Sequence, residues 1–171
     1  EKSQNRLTLA RNMLKHCRAE TRASISDLRS PSLLKKILPE AIQEILPAVA
    51  EGSEFRFIVE GTPRKLPATT TNHLLRIARE AVINARRHAK PTWIEVSLHY
   101  EIDEIRLEII DDGTGFDPKQ RPPDGHFGIT GMRERANKIF AEFAIESSPS
   151  IGTKVEIRLP SSSPANQSTK N

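Results

Sequence analysis

Glu80, Asn84 and His88 stand four residues apart, and in a helix that spacing lines them along one face with Arg87 beside them. A carboxylate, a carboxamide and cationic groups in a row suit a metal ion together with a polyphosphate. Hard cations take oxygen ligands, and phosphate oxygens take Arg or His. A solvated helix face with i,i+4 pairs such as Arg76 and Glu80 accounts for the same residues, so the line alone leaves both readings open.

The stretch Ile109-Ile110-Asp111-Asp112-Gly113-Thr114-Gly115-Phe116-Asp117 adds weight to the ligand reading. An acid at the carboxyl end of a strand, followed by two glycines one residue apart, lets backbone approach a ligand closely. As a bare pattern it also fits a tight turn. It does not fit a calcium loop, whose spaced acids and terminal glutamate are absent. A second glycine run, Gly125-His126-Phe127-Gly128-Ile129-Thr130-Gly131-Met132, leads into a helix whose free N–H groups form an anion site. No GxxxxGK[ST] occurs, so this is not a P-loop.

These residues need a scaffold. Leu74, Leu75, Ile77, Ala78, Ala81, Val82 and Ala85 make the apolar face of a helix running to about His88, with Thr69 to Asn72 as candidate N-caps and Pro91 preventing its continuation. Phe55, Phe57 and Val59 alternate in a strand over 54–60. Ile94, Val96, Leu98 and Tyr100 do so in a second, and Ile105, Leu107 and Ile109 in a third, with Glu101 to Glu104 as the hairpin turn. Residues 129–140 read as a helix, and 142–147 and 153–159 as closing strands. One apolar and one polar face predict helices on one side of the sheet only.

Residues 1–29 hold no Pro or Gly and repeat Leu7, Ala10, Leu14, Cys17, Thr21, Ser24 and Leu28 at helical spacing, which predicts one long helix with a thin seam. Ser30 and Pro31 end it. A shorter helical region, punctuated by Pro39 and Pro47, fills 32–50. Residues 161–171 lack large apolar side chains and are expected to be disordered.

The 171 residues are 36% hydrophobic and carry a formal charge of +4, all of it in residues 1–29, where seven bases face three acids. A charged helix face with few aromatics argues against nucleic-acid binding. No apolar run spans a bilayer or reads as a signal peptide, so no membrane contact is expected. The single Cys17 and the absence of Cys/His metal spacing suit a reducing, cytoplasmic setting.

The stretch Arg76-Ile77-Ala78-Arg79-Glu80-Ala81-Val82-Ile83-Asn84-Ala85-Arg86-Arg87-His88-Ala89 resembles the N box of bacterial two-component sensor histidine kinases, the class that includes the nitrate/nitrite sensors. Asp111 to Phe116 resembles their DxGxG box, Gly128 to Arg135 their second glycine box, and Gly152-Thr153 the last. Four motifs in the family's order cover about residues 54–159.

The resemblance implies the Bergerat ATP-binding fold, an α/β two-layer sandwich of a mixed sheet with helices on one face. It implies ATP and Mg²⁺ as cofactors. Asn84 would coordinate Mg²⁺, and Glu80 would order the magnesium-bound water or assist proton transfer. Arg87 and His88 would meet the phosphates, with Glu80 and Arg87 as catalytic groups. Asp111 would accept a hydrogen bond from the adenine amino group, with Thr153 supporting it, directly or through water. Gly113 and Gly115 would give base and ribose room, beside Phe116. Gly125, Gly128, Ile129, Gly131 and Met132 complete the ATP-binding set, the glycines Gly128 and Gly131 holding phosphates at the helix start. Asp117 to Phe127 would be a short lid.

Glu20 to Arg29 is similar to the end of the second helix of the family's dimerisation and phosphoacceptor hairpin. The implied organisation is that helix over 1–30, a helical connector over 31–53, the ATP-binding catalytic domain over 54–160 and the tail over 161–171. The first hairpin helix, with its histidine followed by an acid, is not in the chain. His16 precedes Cys17 and lies too near Asp27 for a hairpin to intervene. The implied function is transfer of the ATP γ-phosphoryl group to a histidine on that helix, for relay to a response regulator, within a parent that is a homodimer. A non-catalytic ATP-gated interaction module and an anti-sigma-factor serine kinase of the same superfamily are the alternatives. A gyrase-like ATPase would need a long transducer domain.

Overall fold

The computed structural model describes residues 36–117 and 127–162. The predicted helix over 1–30, most of the predicted lid and the tail from 163 onward lie outside the described residues. The elements run α1 (Leu38–Val49), β1 (Glu54–Gly61), α2 (Ala68–Asn84) continued by a π-helical turn (Ala85–Ala89), β2 (Trp93–Tyr100), β3 (Glu104–Asp111), α3 (Phe127–Lys138), β4 (Glu142–Ser148) and β5 (Gly152–Pro160).

The five strands form one mixed sheet in the order β1-β2-β3-β5-β4. β1 and β2 are parallel, as the intervening helix requires, and every other pairing is antiparallel. The side-chain period of two then builds rows across the inner face. Tyr100, Ile105 and Leu159 form one row, Leu98, Leu107, Ile157 and Phe143 the next, and Val96, Ile109, Val155 and Ile145 a third. These rows meet Leu74, Ile77, Ala78, Ala81 and Val82 of α2 and Met132, Ala136 and Ile139 of α3 in one core. The predicted one-sided sandwich is the observed architecture.

The other face of the sheet is a lattice of charges. Lys154 Nζ lies 2.8 Å from Glu108 and 2.9 Å from Glu156, and Arg158 Nε lies 2.5 Å from Glu156. Burial opposes ionisation of Glu156, but hydrogen bonds from Lys154 and Arg158 outweigh it and hold its pKa down to about 2. Period-two alternation thus separates an apolar face covered by helices from a polar face rich in ion pairs.

α1 belongs to the same core. Leu38, Ala41, Ile42 and Leu46 are buried on the stripe that faces α2, and each large side chain contributes about 1.5–3 kcal/mol of burial. Pro39 sits in the first turn, where a missing N–H is harmless. Glu40 reaches back to accept the Ile37 N–H at 3.2 Å. The helix continues through Pro47 and closes with the Ala50 N–H on Leu46 O at 2.8 Å.

Two boundaries differ from the sequence reading. α2 begins directly after Pro67, whose restricted φ opens the helix, and Thr70 and Thr71 are buried in the first turn instead of capping it. Asn72 accepts a hydrogen bond from Arg76 Nε at 2.8 Å. At its far end α2 widens into the π-turn before Lys90, which stands in the left-handed region at φ 48°.

Candidate functional site

One more row crosses the inner face beyond the apolar ones. Register aligns Ile94 with Asp111, Asp111 with Thr153, and Thr153 with Ser147. The rows that build the core therefore end in a carboxylate and two hydroxyls, at the end of the sheet that faces the start of α3 and the π-turn.

Asp111 and Asp112 are neighbours with different tasks. Asp111 continues the inward parity of Ile105, Leu107 and Ile109, and only 6% of its surface is exposed. Its Oδ1 accepts the Gly113 N–H at 2.9 Å. Burial raises the Asp111 pKa above the ordinary value; the nearby Asp112 charge adds to this, while N–H groups of Gly113 and Thr153 oppose it. Asp112 points outward and accepts the N–H groups of Thr92 at 2.8 Å and Trp93 at 2.9 Å, as well as the Thr92 hydroxyl. Asp112 therefore ties the start of β2 to the end of β3, and Asp111 is left facing the site.

The loop after Asp111 is pinned on both sides. Thr114 N–H donates to Ala89 O at 2.9 Å, Ser150 N–H donates to Thr114 O at 2.6 Å, and Phe116 N–H donates to Ser147 Oγ at 2.9 Å. A Cβ on Gly113 would lie 2.4 Å from the Ala89 Cβ and 2.8 Å from Asp111 Oδ1, so glycine keeps the π-turn and the carboxylate in contact with this loop. Gly115 has φ +58°, and its missing Cβ faces the Ser148 carbonyl at 2.1 Å. Its immediate role is to let the loop seat on the β4–β5 turn.

Glu80 and Asn84 are half-buried on α2, and α3 begins against them. A Cβ on Gly128 would lie 2.7 Å from Glu80 Oε1 and 3.0 Å from Asn84 Nδ2. Only glycine brings the first turn of α3 this close to a carboxylate and a carboxamide. Arg87 and His88 follow on the π-turn and are exposed. The line predicted from α-helical spacing holds for Glu80 and Asn84, but the wider turn changes the angle at which His88 leaves the helix.

The remaining predicted residues divide. Thr153 is beside Asp111, Phe116 is 38% exposed at the end of the loop, and Gly128 and Gly131 are in the first turns of α3. Gly125 lies outside the described residues. Ile129 packs partly against the core, and Met132 is 1% exposed within it. Met132 therefore seats α3 on the sheet, a role legible in the spacing of Ile129, Met132, Ala136 and Ile139. Sequence reasoning did not single out Ser147 or Ala89, the residues that fix the loop from either side. Among the described residues no helix is long and apolar enough to cross a membrane.

Residues 69–163 match the family described as histidine kinase-, DNA gyrase B-, and HSP90-like ATPase. The chain belongs to this family. Its sequence relatives include the sensor protein VraS of Staphylococcus aureus, 32% identical over 154 residues, and that of Staphylococcus haemolyticus, 33% identical over 148. These alignments cover 90% and 86% of this chain but 44% and 42% of the relatives, so the chain spans less than half of their length. The fold is shared with solved structures of histidine kinases. The histidine kinase domain from the Erythrobacter litoralis EL346 blue-light activated histidine kinase has a TM-score of 0.58 at 22% identity, covering 72% of this chain and 61% of that one. The mycobacterial sensor histidine kinase MprB has a TM-score of 0.54 at 20% identity, covering 72% and 91%. Residues 69–163 are thus an ATPase domain of the kind found in sensor histidine kinases, from the start of α2 to just beyond β5.

Proposed function

We propose that this domain binds ATP with Mg²⁺ and transfers the γ-phosphoryl group to a histidine on a helical hairpin, for relay to a response regulator, within a cytoplasmic part of a homodimeric sensor kinase. The form of Arg76 to Ala89 favours the nitrate/nitrite-sensor class. The observation that carries the proposal is the polar end of the inner face, where a buried carboxylate stands in register with Thr153. Close by, the α3 N-terminus abuts Glu80 and Asn84.

The residues fit these groups. Asp111, when ionised, is an acceptor-only group suited to an exocyclic amino donor. Glu80 and Asn84 offer the hard oxygens that Mg²⁺ takes, and Gly128 leaves the space beside them that a Cβ would fill. Mg²⁺ and ATP together supply a phosphoryl group whose transfer depends on positioning and charge neutralisation. Asn84 would hold the metal, Arg87, His88 and the N–H groups at Gly128 and Gly131 would orient the phosphates, and Glu80 would hold a proton or order a water during transfer. An ATP-gated module without catalysis would bind nucleotide in the same way and give no phosphohistidine.

Calorimetry on Asp111→Ala tests the binding assignment. Leaving a buried amino group unpaired is expected to weaken ATP affinity by about 5- to 150-fold, equivalent to roughly 1–3 kcal/mol. Asn84→Ala is expected to remove the Mg²⁺ dependence of binding. Equal ATP affinity in wild type and Asp111→Ala would count against the proposal.

The same carboxylate gives a pH signature. Its folded-state pKa is raised by burial, so the ionised form costs stability and the folded domain binds its proton more tightly than the unfolded chain. Lowering the pH from neutral toward 3.8, its ordinary value, is therefore expected to add stability to the nucleotide-free wild type relative to Asp111→Asn, while ATP affinity falls. Parallel melts and titrations of the two proteins read this difference. Stability of wild type falling with pH relative to Asp111→Asn would reverse the sign and refute it.

A further inference from the structure

Ser147 closes the polar row, and its hydrogen bonds can be assigned atom by atom. Its Oγ lies 2.8 Å from the Gly152 carbonyl, 2.9 Å from the Phe116 N–H and 3.0 Å from Thr153 Oγ1. A serine hydroxyl has one proton and two lone pairs. The Gly152 carbonyl only accepts, so it takes the Ser147 proton. The Phe116 N–H only donates, so it occupies one Ser147 lone pair. The third contact then has one solution, in which Thr153 donates its own proton to Ser147. With that proton committed, the Thr153 oxygen keeps only lone pairs to offer the site.

Thr153 is the cross-strand partner of Asp111 on the same face. The two side chains therefore present acceptors side by side, a carboxylate and a hydroxyl whose proton points away. The 6-amino group of a purine carries two N–H donors, one for each acceptor, whereas a 6-keto purine places there an oxygen that would meet lone pairs with lone pairs, its N1–H donor lying at the neighbouring ring position. We infer that Ser147 is a specificity-determining residue, which selects 6-amino over 6-keto purine nucleotides by fixing the Thr153 hydroxyl as an acceptor. Through Phe116 it also anchors the loop that carries Gly113 and Gly115, so one serine couples base selection to the position of the loop. The inference rests on the proposed ATP site and adds to it the residue that sets its polarity.

The probe is inosine triphosphate, which carries a 6-keto group without the 2-amino group that would add a steric effect in guanosine triphosphate. Calorimetric affinities for ATP and ITP are measured on the full 171-residue chain for wild type, Ser147→Ala, Ser147→Thr and Thr153→Val. Wild type is expected to prefer ATP. In Ser147→Ala the Thr153 hydroxyl is free to turn and donate, and the ATP-to-ITP preference is expected to fall about tenfold, the worth of one hydrogen bond. Ser147→Thr keeps the hydroxyl and is expected to restore the preference. In Thr153→Val the preference falls as well, and adding Ser147→Ala changes it no further, because both substitutions act through one oxygen.

Hydrogen exchange at the Phe116 amide reports the loop separately and is expected to quicken in Ser147→Ala. If that exchange quickens while the ATP-to-ITP ratio stays at the wild-type value, Ser147 is a loop anchor only and the inference falls. A wild type that binds both nucleotides equally well also overturns it. A wild type that binds neither removes the ATP reading itself, and the inference with it.

Discussion

Exchanging Glu80 for glutamine is expected to lower phosphoryl transfer to a histidine-bearing hairpin by about 10²- to 10⁴-fold, with ATP affinity changed less than about threefold. The substitution keeps the shape that α3 packs against. Gly128 sits so close to Glu80 that a Cβ there would lie 2.7 Å from its Oε1, and a glutamine preserves that contact surface. What it removes is the negative charge and the ability to hold a proton. If Glu80 serves only to seat α3, transfer will be nearly unaffected, because the isosteric side chain still fills the place. Single-turnover transfer with ATP in excess, alongside calorimetric affinity, separates the two cases. Transfer within about tenfold of wild type would remove Glu80 from the catalytic set.

Gly152→Ala is expected to destabilise the domain by about 3 kcal/mol or more, adding backbone strain to an unrelieved overlap. Gly152 has φ +109°, a conformation that L side chains rarely adopt, and its added Cβ would lie 1.9 Å from the Asp111 carbonyl. That obstacle is backbone and cannot swing aside. Relief requires β5 to part from the end of β3, which separates Thr153 from Asp111 and disturbs the polar row. Stability and ATP affinity should therefore fall together. Urea unfolding measures the first, and a change of less than about 1 kcal/mol would show that the turn has slack.

The scaffold was readable because its causes are local. The alternation of Ile105, Leu107 and Ile109 carries forward to Asp111 by parity, so the inward acid is the one that a period of two selects. The apolar face of α2 and the stop at Pro91 were equally plain. The π-turn was not, because a wider helical turn at Ala85–Ala89 has no compositional signature and depends on what its residues pack against. The helix start at Ala68 was obscured by four polar residues that looked like caps, two of which the tertiary fold buries.

Ser147 was illegible for another reason. It stands among Ser148 and Ser150, and only the register of β4 against β5 distinguishes the serine opposite Thr153 from its neighbours. Register is a property of paired strands, so a single strand does not announce it. Met132 is 1% exposed in the core, at a helical spacing shared with Ile129, Ala136 and Ile139.

Transfer of label from γ-labelled ATP to a supplied phosphoacceptor hairpin, in the presence of Mg²⁺, tests the proposed function most directly. Acid-labile label on the hairpin histidine, formed about 3- to 75-fold more slowly when Asp111→Ala is assayed at an ATP concentration near the wild-type dissociation constant, is the predicted result. ATP bound with wild-type affinity but no label on any histidine, with a hairpin that an authentic sensor kinase domain does phosphorylate, would contradict the kinase assignment and leave a nucleotide-gated module in its place.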